Sequence, residues 1–397
     1  MPSLRQLFLQ YNAQTSLEPL LLEFVRAKGM YLYDADEKVY MDLIAGIGVS
    51  NIGHCHPEVV RAIQKQAETY MHLMVYGEYV QSPQIKYAEE LASVLPPSLN
   101  CTYFVSSGAE ATEGALKLAK RYTGRTEIIS CHNSYHGSSH GALSVMGNEY
   151  YKQAFRPLLP DIKFINFNNI PDLEMITQAT ACVIIETIQG EAGVRIPAAN
   201  YMKLLRQRCT DTGTLLILDE IQTGFGRTGK LFAFEHFDVI PDILLIAKGM
   251  AGGMPMGAFI SSSNIMGVLS HQPILGHIST FGGHPVCCAA GLATLQVIQS
   301  EKLVDAVEQK GAIFRKLLVH PGIREVRIIG LMIAVEFKDF DFNKKIIDRC
   351  IEHGIITDWF LHCDHSMRIA PPLIITENEI EKACNVIIEA IDYFHKG

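Results

Sequence analysis

Residues 242–249 read Asp-Ile-Leu-Leu-Ile-Ala-Lys-Gly, an apolar run that ends in a lysine and a glycine. The run is short, branched and uncharged after its first residue, a pattern typical of a buried β-strand. A lysine at the exit of such a strand is poorly solvated. Desolvation lowers the pKa of Lys248 and leaves a free amine that can attack a carbonyl group. The alternative for this stretch alone is a lysine that extends from the strand end into solvent.

From about residue 101 onward, strand patterns alternate with helix patterns. The predicted strands lie at 102–105, 127–130, 181–186, 214–219, 242–247 and 257–260. Such alternation favours an α/β fold with a mostly parallel sheet covered by helices on both faces. Active sites in these folds gather at the carboxyl ends of strands, which is where Glu186, Asp219 and Lys248 fall.

The two ends of the chain predict a second, smaller domain. The first 30 residues read as an amphipathic helix and a connection to two short strands. A single long helix is predicted from His284 to about His320, followed by alternating strands and helices to the C-terminus. The domains that we expect are a large one over residues 46–285 and a small, discontinuous α+β one over 1–45 and 286–397.

Composition and charge limit the partners of the chain. It has 397 residues, of which 48% are hydrophobic and 19% charged, as in a globular protein with a large core. Its 34 basic and 42 acidic residues give a net charge of -8, and no long basic run appears, so we expect no nucleic-acid partner. No uncharged apolar stretch is long enough to span a bilayer, so we expect no membrane partner. Ten cysteines without a repeating spacing, and no secretory leader, predict reduced thiols in a cytoplasmic protein.

Two strand ends carry candidate binding groups. Residues 106–110 read Ser-Ser-Gly-Ala-Glu and join a strand to a helix, where free backbone N–H groups and the helix dipole make an anion site. The alternative there is an ordinary helix N-cap with a tight turn. Asp219 ends another apolar strand, and a buried carboxylate needs a charged or hydrogen-bonding partner. A pyridinium nitrogen would be a suitable one, and the alternative is a helix cap or a structural ion pair.

Other motifs match the residue types of known sites but lack the surrounding pattern that those sites require. Residues 224–229 read Gly-Phe-Gly-Arg-Thr-Gly, but these glycines do not directly follow a strand and no long helix opens after them. We therefore predict a tight loop rather than a dinucleotide site. Residues 54–56 and 362–365 contain metal-ligand residue types. Neither segment has a partner cluster at structural-zinc spacing, so we predict no metal site.

Taken together, the motifs resemble those of the class III aminotransferases, which are pyridoxal-phosphate enzymes of fold type I. The resemblance covers nearly the whole chain and implies a seven-stranded, mostly parallel sheet in the large domain. Its most specific block is Leu218 to Gly229, which reads L-D-E-I-Q-T-G-F-G-R-T-G. The other blocks follow in the family's order: the glycine-rich segment 46–57, the phosphate turn 107–111, the ring-stacking loop 135–137, E-T-I-Q-G-E-A-G at 186–193, A-K-G at 247–249 with Gly257-Ala258, T-F-G-G-H-P at 280–285 and R-I-A-P-P-L at 368–373.

The resemblance implies how the cofactor, pyridoxal 5′-phosphate, would be bound. Lys248 would hold it covalently as a Schiff base and later shuttle the proton between the substrate and the cofactor. Asp219 would pair with the pyridine nitrogen and keep it protonated, so that the ring withdraws electrons. Gln222 would hydrogen-bond the ring oxygen O3′. The other cofactor-binding residues implied are Tyr135, which would stack on the ring, His136, Glu186, the phosphate-binding Ser107, Gly108 and Ala109, and Thr280, which would reach the phosphate of the neighbouring subunit.

Arg368 and Glu191 are the implied substrate-binding residues. Arg368 would take a substrate carboxylate as a bidentate pair, and Glu191 would mask Arg368 when an amine without that carboxylate is bound. The pair favours glutamate and 2-oxoglutarate as one couple in a ping-pong reaction through pyridoxamine phosphate. The other substrate would be a primary amine or an ω-amino acid. The position of Thr280 in the family implies a homodimer with shared active sites.

One position departs from the ornithine and acetylornithine branch of the family. That branch usually has arginine after the ring-stacking glycine, and Ser138 occupies the position here. An arginine clamp for the α-carboxylate of the donor is therefore missing at that place, which argues against an ornithine-type donor. Two alternatives stay open: an aminomutase or amino-acid racemase of the same subgroup, which needs no external oxo acid, and a catalytically idle homologue with a binding role. Four intact residues argue against the idle homologue: Lys248, Asp219, Gln222 and Thr280.

Overall fold

The computed structural model describes residues 2–395, and strands alternate with helices through the middle of the chain. The β-strands are β1 (Phe24–Lys28), β2 (Tyr31–Asp34), β3 (Val39–Asp42), β4 (Cys101–Val105), β5 (Glu127–Cys131), β6 (Ile162–Ile165), β7 (Thr180–Glu186), β8 (Leu215–Asp219), β9 (Ile243–Ala247), β10 (Gly257–Ser261), β11 (Glu325–Ile329), β12 (Met332–Glu336), β13 (Ile355–Ile356), β14 (Asp358–Phe360) and β15 (Cys363–Ile369). The α-helices are α1 (Leu4–Tyr11), α2 (Ala45–Gly48), α3 (Pro57–Thr69), α4 (Ser82–Val94), α5 (Gly108–Thr123), α6 (His140–Ser144), α7 (Ala199–Thr212), α8 (Ser263–Met266), α9 (Pro285–Ser300), α10 (Val307–Leu317), α11 (Phe340–Glu352) and α12 (Glu377–His395). None of these helices is both long and apolar enough to cross a membrane.

A seven-stranded sheet is the central element, with the strand order β4-β10-β9-β8-β7-β5-β6. β10 runs antiparallel to β4 and β9, and the remaining neighbours pair in parallel. Alternate residues of β8 enter different apolar clusters, Leu216 and Leu218 on one side and Leu215 and Ile217 on the other. Both faces of the sheet are therefore covered, and the predicted mostly parallel, seven-stranded sheet is confirmed.

The register of the central strands brings the predicted functional residues to one edge. β7 and β8 pair in parallel so that Glu186 lies opposite Asp219. β9, the next strand in the sheet, ends at Ala247, immediately before Lys248. The strand ends thus place two carboxylates and one amine side by side, at the edge where ligands bind in such sheets.

Two smaller sheets complete the fold, in the orders β1-β2-β3-β13 and β11-β12-β15-β14. They share an apolar cluster that unites residues 30–43 with residues 307–391. Helix α9 packs against the seven-stranded sheet, since its buried residues between Cys287 and Ile298 belong to an apolar cluster of that sheet. The predicted domain boundaries at residues 46 and 285 remain a proposal, and the clusters favour a division near residue 300.

The long helix predicted from His284 to about His320 is wrong. α9 ends at Ser300, and α10 begins at Val307. Lys302, between them, has a φ angle of 51°, which no α-helix accommodates. The chain passes here from one apolar cluster to the other without a glycine or proline to signal the break. The predicted loop at residues 224–229 is confirmed, since the segment consists of turns and a bend.

Candidate active site

A cavity of about 470 Å³ lies at the carboxyl edge of the central strands β7, β8 and β9. Its volume is in the range of small-molecule sites. Residues predicted to bind the cofactor or the substrate converge on it from segments that are far apart in the sequence. Those that line it are Ser107, Gly108, Ala109, Tyr135, His136, Glu186, Glu191, Asp219, Gln222 and Lys248.

Lys248 follows β9 directly and lines the cavity. Its φ angle of 47° lies in the left-handed region that a non-glycine residue seldom adopts. Backbone strain of this kind persists where the surrounding structure enforces it, often at active sites. Burial lowers the pKa of Lys248, against the opposing effect of the Glu191 carboxylate. The amine therefore loses its proton more readily than that of an exposed lysine, in the direction that the sequence predicted.

Both carboxylate oxygens of Asp219 are held by the protein. Oδ2 lies 2.7 Å from Nδ1 of His136, and Oδ1 accepts a hydrogen bond from the backbone N–H of Ile221 at 2.9 Å. Asp219 and His136 are both buried. A buried carboxylate with one protein donor on each oxygen can still accept a third hydrogen bond, for instance from the protonated nitrogen of an aromatic ring in the cavity.

Glu186 lies beside Asp219 in the paired strands β7 and β8. Its oxygens accept hydrogen bonds from the backbone N–H groups of Tyr135 at 3.0 Å and Gly190 at 2.8 Å. Burial raises the pKa of Glu186 to about 7, and the neighbouring Asp219 carboxylate adds to the rise while His136 opposes it. Glu186 thus fixes the loop that presents Tyr135 to the cavity.

The junction of β4 and α5 is where the sequence predicts an anion site. Ser107 caps α5, because its hydroxyl accepts a hydrogen bond from the N–H of Glu110 at 3.2 Å. The N–H groups of Gly108 and Ala109 donate to no other group within residues 2–395. A Cβ atom at Gly257 would lie 2.3 Å from the carbonyl oxygen of Ser107, so the close approach of β10 requires glycine. Free N–H groups at the positive end of a helix suit a phosphate.

Arg368 and Glu191 form a bidentate ion pair beside the cavity. Nη1 and Nη2 of Arg368 donate to the two oxygens of Glu191, each at 2.8 Å. Burial opposes the ionisation of Glu191, but Arg368 outweighs it and lowers the pKa of Glu191 to about 2. Glu191 also accepts from the backbone N–H of Leu361 at 3.0 Å and from Nε2 of Gln222 at 3.4 Å. Glu191 lines the cavity with Arg368 behind it, the arrangement expected of a mask, and the masking role itself remains a proposal.

Among the predicted cofactor-binding residues, Thr280 is the one that does not line this cavity. It is exposed, and its Oγ1 lies 3.3 Å from the hydroxyl of Tyr76. Exposed apolar side chains are frequent on the two loops that meet here. They include Met71, Leu73, Met74, Tyr79, Val80, Ile274, Leu275, Ile278 and Phe281. A position outside its own cavity is what a contact to the cofactor of a neighbouring subunit requires.

The sequence did not predict the contacts of two other residues, Asp358 and Arg227. Asp358 lies 3.0 Å from Nε of Arg368, opposite it in the paired strands β14 and β15. Arg227 is fully buried and donates to Oδ1 of Asn51 and to the carbonyl oxygen of Leu331. The sequence carried no signal for Asp358, whose position depends on strand register. Arg227 falls in a glycine-rich segment that predicted only a loop.

Metal-ligand residue types do meet at one place in the part of the chain that the structure describes. Glu336, Cys363 and His365 offer ligand atoms that lie within 4.8 Å of one another. Nη1 of Arg327 donates to Glu336 at 2.6 Å and so already compensates its charge. A guanidinium in this position competes with a metal cation for the carboxylate. That no metal binds here remains a prediction.

Comparison with known proteins identifies the family to which this chain is similar. The family profile described as aminotransferase class-III matches residues 12–391. The acetylornithine aminotransferase of Methanocaldococcus jannaschii is 42% identical over 387 residues, which cover 94% of each chain. The acetylornithine aminotransferase of Aquifex aeolicus is 35% identical over 383 residues, which cover 94% of this chain and 97% of the relative.

Solved structures agree with the sequence relatives. The ornithine aminotransferase of Toxoplasma gondii superposes with a TM-score of 0.90 at 32% identity, covering 98% of this chain and 94% of that one. A transaminase from the marine bacterium Virgibacillus superposes with a TM-score of 0.93 at 28% identity, covering 100% of this chain and 99% of that one. Both likenesses extend over the whole fold and not over the sheet alone.

Proposed function

The chain belongs to the class III aminotransferases, and from that premise we propose that it transfers an amino group from a primary amine or ω-amino acid to a 2-oxo acid by a ping-pong mechanism. The observation that carries the proposal is the bidentate pair of Arg368 and Glu191 next to a cavity lined by Lys248. An arginine behind a movable carboxylate can bind an anionic substrate when the carboxylate moves away, and it is neutralised when the carboxylate returns. One site can then serve both substrates of a ping-pong reaction in turn.

Enzymes of this family depend on pyridoxal 5′-phosphate, and the residues around the cavity fit that cofactor. The unpaired N–H groups at the start of α5 suit its phosphate, Asp219 suits its ring nitrogen, and Lys248 suits its aldehyde. Tyr135 would lie against the ring, and Gln222 would donate to O3′. When bound, the cofactor supplies an electron-withdrawing ring that stabilises negative charge on the substrate carbon beside the nitrogen.

Lys248 is the group that we propose moves the proton. Its lowered pKa gives the side chain a larger share of free amine, which can accept a proton and return it at a neighbouring atom. His136 holds the Asp219 carboxylate through the 2.7 Å contact. Glu186 holds the backbone of Tyr135. Fixed positions of this kind are the condition for efficient acid–base catalysis.

Glutamate and 2-oxoglutarate are the proposed couple for one half of the reaction. Both offer a carboxylate that Arg368 can bind in place of Glu191. Besides its bonds to Arg368, the Glu191 carboxylate accepts a hydrogen bond from the backbone N–H of Leu361 at 3.0 Å. It also accepts a weak one from Nε2 of Gln222 at 3.4 Å. A substrate carboxylate that replaces Glu191 on Arg368 therefore has little else to displace.

The names of the relatives make acetylornithine the first donor to test, but the cavity argues for a different one. Ser138 lines the cavity where that branch of the family has arginine, and its hydroxyl lies 3.3 Å from that of Tyr135. Of the described residues that line the cavity, Lys248 is the only lysine or arginine. The α-carboxylate of an acetylornithine-type donor would therefore lack the arginine partner that position 138 supplies in that branch.

A homodimer with shared active sites is part of the proposal. Thr280 and Tyr76 lie on two adjoining loops that expose many large apolar side chains, and His72 contacts Phe281 with ring centres 5.1 Å apart. Exposed apolar side chains that cluster in this way are typical of interaction surfaces. We propose that a second copy of the chain covers both loops and receives Thr280 at its phosphate site.

A cytoplasmic location is likewise proposed. All ten cysteines are free thiols, and most are buried. Burial raises the pKa of several of them, for example Cys131 and Cys182, which keeps the thiols protonated and unreactive. Unpaired cysteines of this kind are typical of a reducing compartment.

The test is a panel of amino donors assayed with 2-oxoglutarate, with glutamate formation as the readout. The panel contains acetylornithine, ornithine, an ω-amino acid and an amine without a carboxylate. We expect glutamate to form with at least one donor and not in the absence of a donor. Product formation from a donor without any oxo acid would favour an aminomutase or racemase. An absence of product with every donor, in protein loaded with cofactor, would overturn the proposal.

A further inference from the structure

Arg368 contacts a second carboxylate besides that of Glu191. Oδ1 of Asp358 lies 3.0 Å from Nε of Arg368, and the two residues face each other in the antiparallel pair of β14 and β15. Nε makes no hydrogen bond within the described residues, so the contact acts through charge and not through a directed bond. The side chain of Arg368 is 4% exposed and that of Asp358 is 28% exposed, so water screens this interaction only in part.

The two carboxylates belong to different parts of the fold. Glu191 lies in the connection 189–195, whose ends are joined by a bridge between Gln189 and Arg195. Asp358 belongs to the same strand ladder as Arg368, and the register of that ladder fixes their separation. Displacement of Glu191 by a substrate therefore leaves Asp358 in place.

Other contacts from the neighbouring strand hold Arg368 when Glu191 is displaced. Nη2 of Arg368 donates to the carbonyl oxygen of Trp359 at 3.1 Å, and Cζ lies 4.6 Å from the ring centre of Phe360. The hydroxyl of Thr357 donates to the carbonyl oxygen of Arg368 at 2.6 Å. Since these contacts already orient the guanidinium, charge is the distinct contribution of Asp358.

We propose that Asp358 is a built-in counter-charge that weakens the binding of substrate carboxylates to Arg368. The inference rests on the proposed function, in which such a carboxylate takes the place of Glu191. The incoming carboxylate then meets an arginine that already has an anionic neighbour at Nε. Once Glu191 is displaced, three carboxylates surround one arginine: those of Asp358, Glu191 and the substrate. The negative charge of Asp358 therefore opposes the arrival of a further anion, so the substrate is held less tightly and Glu191 returns more readily. Asp358 acts through Arg368 and touches no reacting atom, so it is a positioning residue.

Asp358 is ionised under mildly alkaline conditions, although its surroundings raise its pKa. Burial raises the pKa of Asp358 to about 6, Glu191 and Asp42 add to the rise, and Arg368 opposes it. A carboxyl group with this pKa is almost fully ionised at about pH 8. When a substrate carboxylate replaces Glu191, the negative charge beside Asp358 is replaced by another of the same sign.

The test compares the Asp358→Asn holoenzyme with the wild type at about pH 8. Asparagine has nearly the shape of aspartate and removes only the charge. We expect the KM for 2-oxoglutarate to fall about fivefold, because Arg368 binds the carboxylate without a competing anion. The KM of an amine donor without a carboxylate should not change, since Arg368 then stays paired with Glu191. Asp348→Asn removes a surface carboxylate that pairs with Lys344 on α11, and as the matched control it should alter neither constant.

Arg368→Lys separates this inference from the proposed function. If the KM for 2-oxoglutarate rises in Arg368→Lys but does not fall in Asp358→Asn, the inference is wrong and the proposed function stands. If Arg368→Lys leaves that KM unchanged, Arg368 does not bind the carboxylate, and the inference falls together with that part of the proposed function. A fall to the same extent in the KM of the amine without a carboxylate would also overturn the inference. Asp358→Ser gives the same comparison if the asparagine variant does not fold.

Discussion

Nδ1 of His136 lies 2.7 Å from Oδ2 of Asp219, although the two residues are 83 positions apart in the chain. His136 follows β5 and Asp219 ends β8, so the contact joins two separate strand ends of the sheet. Both side chains are buried, and His136 therefore fixes the one carboxylate that would face the ring nitrogen of the cofactor.

Replacement of His136 should weaken the enzyme without abolishing it. A hydrogen bond to a charged group contributes about 1.5–3 kcal/mol, so His136→Phe should lower kcat/KM by about tenfold to a hundredfold. His136→Asn keeps a donor near Asp219 and should lose less. Steady-state kinetics of both variants, together with the dissociation constant of the cofactor, measure the effect. Equal activity of His136→Phe and the wild type would contradict the assigned contact.

Lys248→Ala should abolish transamination and leave the fold intact. Loss of a positioned proton-transfer group costs about 10²–10⁴ in rate, and loss of the covalent bond to the cofactor adds to this. The variant should bind the cofactor without becoming covalently attached, which borohydride reduction followed by mass spectrometry detects. Lys230→Ala, which removes an exposed lysine, is the matched control and should remain active. Covalent attachment in Lys248→Ala would show that another lysine holds the cofactor.

Ser138→Arg should widen the choice of donor. The substitution restores a cation where the acetylornithine branch has one, at a residue that lines the cavity. An arginine–carboxylate pair in a partly buried site contributes about 1–3 kcal/mol, so the KM for acetylornithine should fall by about tenfold. Ser139→Arg, one position further along, is the control and should not show the gain. A KM for acetylornithine that is already low in the wild type would disprove the argument from Ser138.

Glu220 gives a prediction about pH and stability. It is fully buried and accepts hydrogen bonds from the backbone N–H groups of Ala233 and Phe234, one on each oxygen. Burial raises the pKa of Glu220 from 4.5 to about 7. The folded protein therefore binds more protons than the unfolded chain between these two values, and the contribution of Glu220 to stability falls as the pH rises through that window.

Glu220→Gln removes this titration and turns an amide donor towards one of the two N–H groups. The variant should be less stable than the wild type at pH 5, and the difference in the free energy of unfolding should shrink by on the order of 1–3 kcal/mol between pH 5 and pH 8. Denaturant unfolding of both proteins at the two pH values measures the difference. A difference that stays constant with pH would mean that Glu220 titrates normally.

Sequence reasoning succeeded where a short apolar run ends at a chemically distinctive residue. Lys248 and Asp219 could be placed at one edge of the sheet because parallel strands deliver their carboxyl ends together. The contact of Asp358 with Arg368 could not be predicted, since it depends on the register of two short antiparallel strands. The helix break at Lys302 could not be predicted either. The helix ends there because the chain packs against two different cores, and no glycine or proline marks the position.

The visible absorbance spectrum of the purified protein, recorded before and after addition of glutamate alone, tests the central claim most directly. We expect an absorbance band of the bound cofactor that bleaches with glutamate and returns with 2-oxoglutarate, because each addition drives one half of the ping-pong reaction. Arg368→Lys should show the band but bleach more slowly. A band that is indifferent to glutamate would contradict the proposed substrate couple. No band after addition of pyridoxal phosphate would contradict the assignment of Lys248.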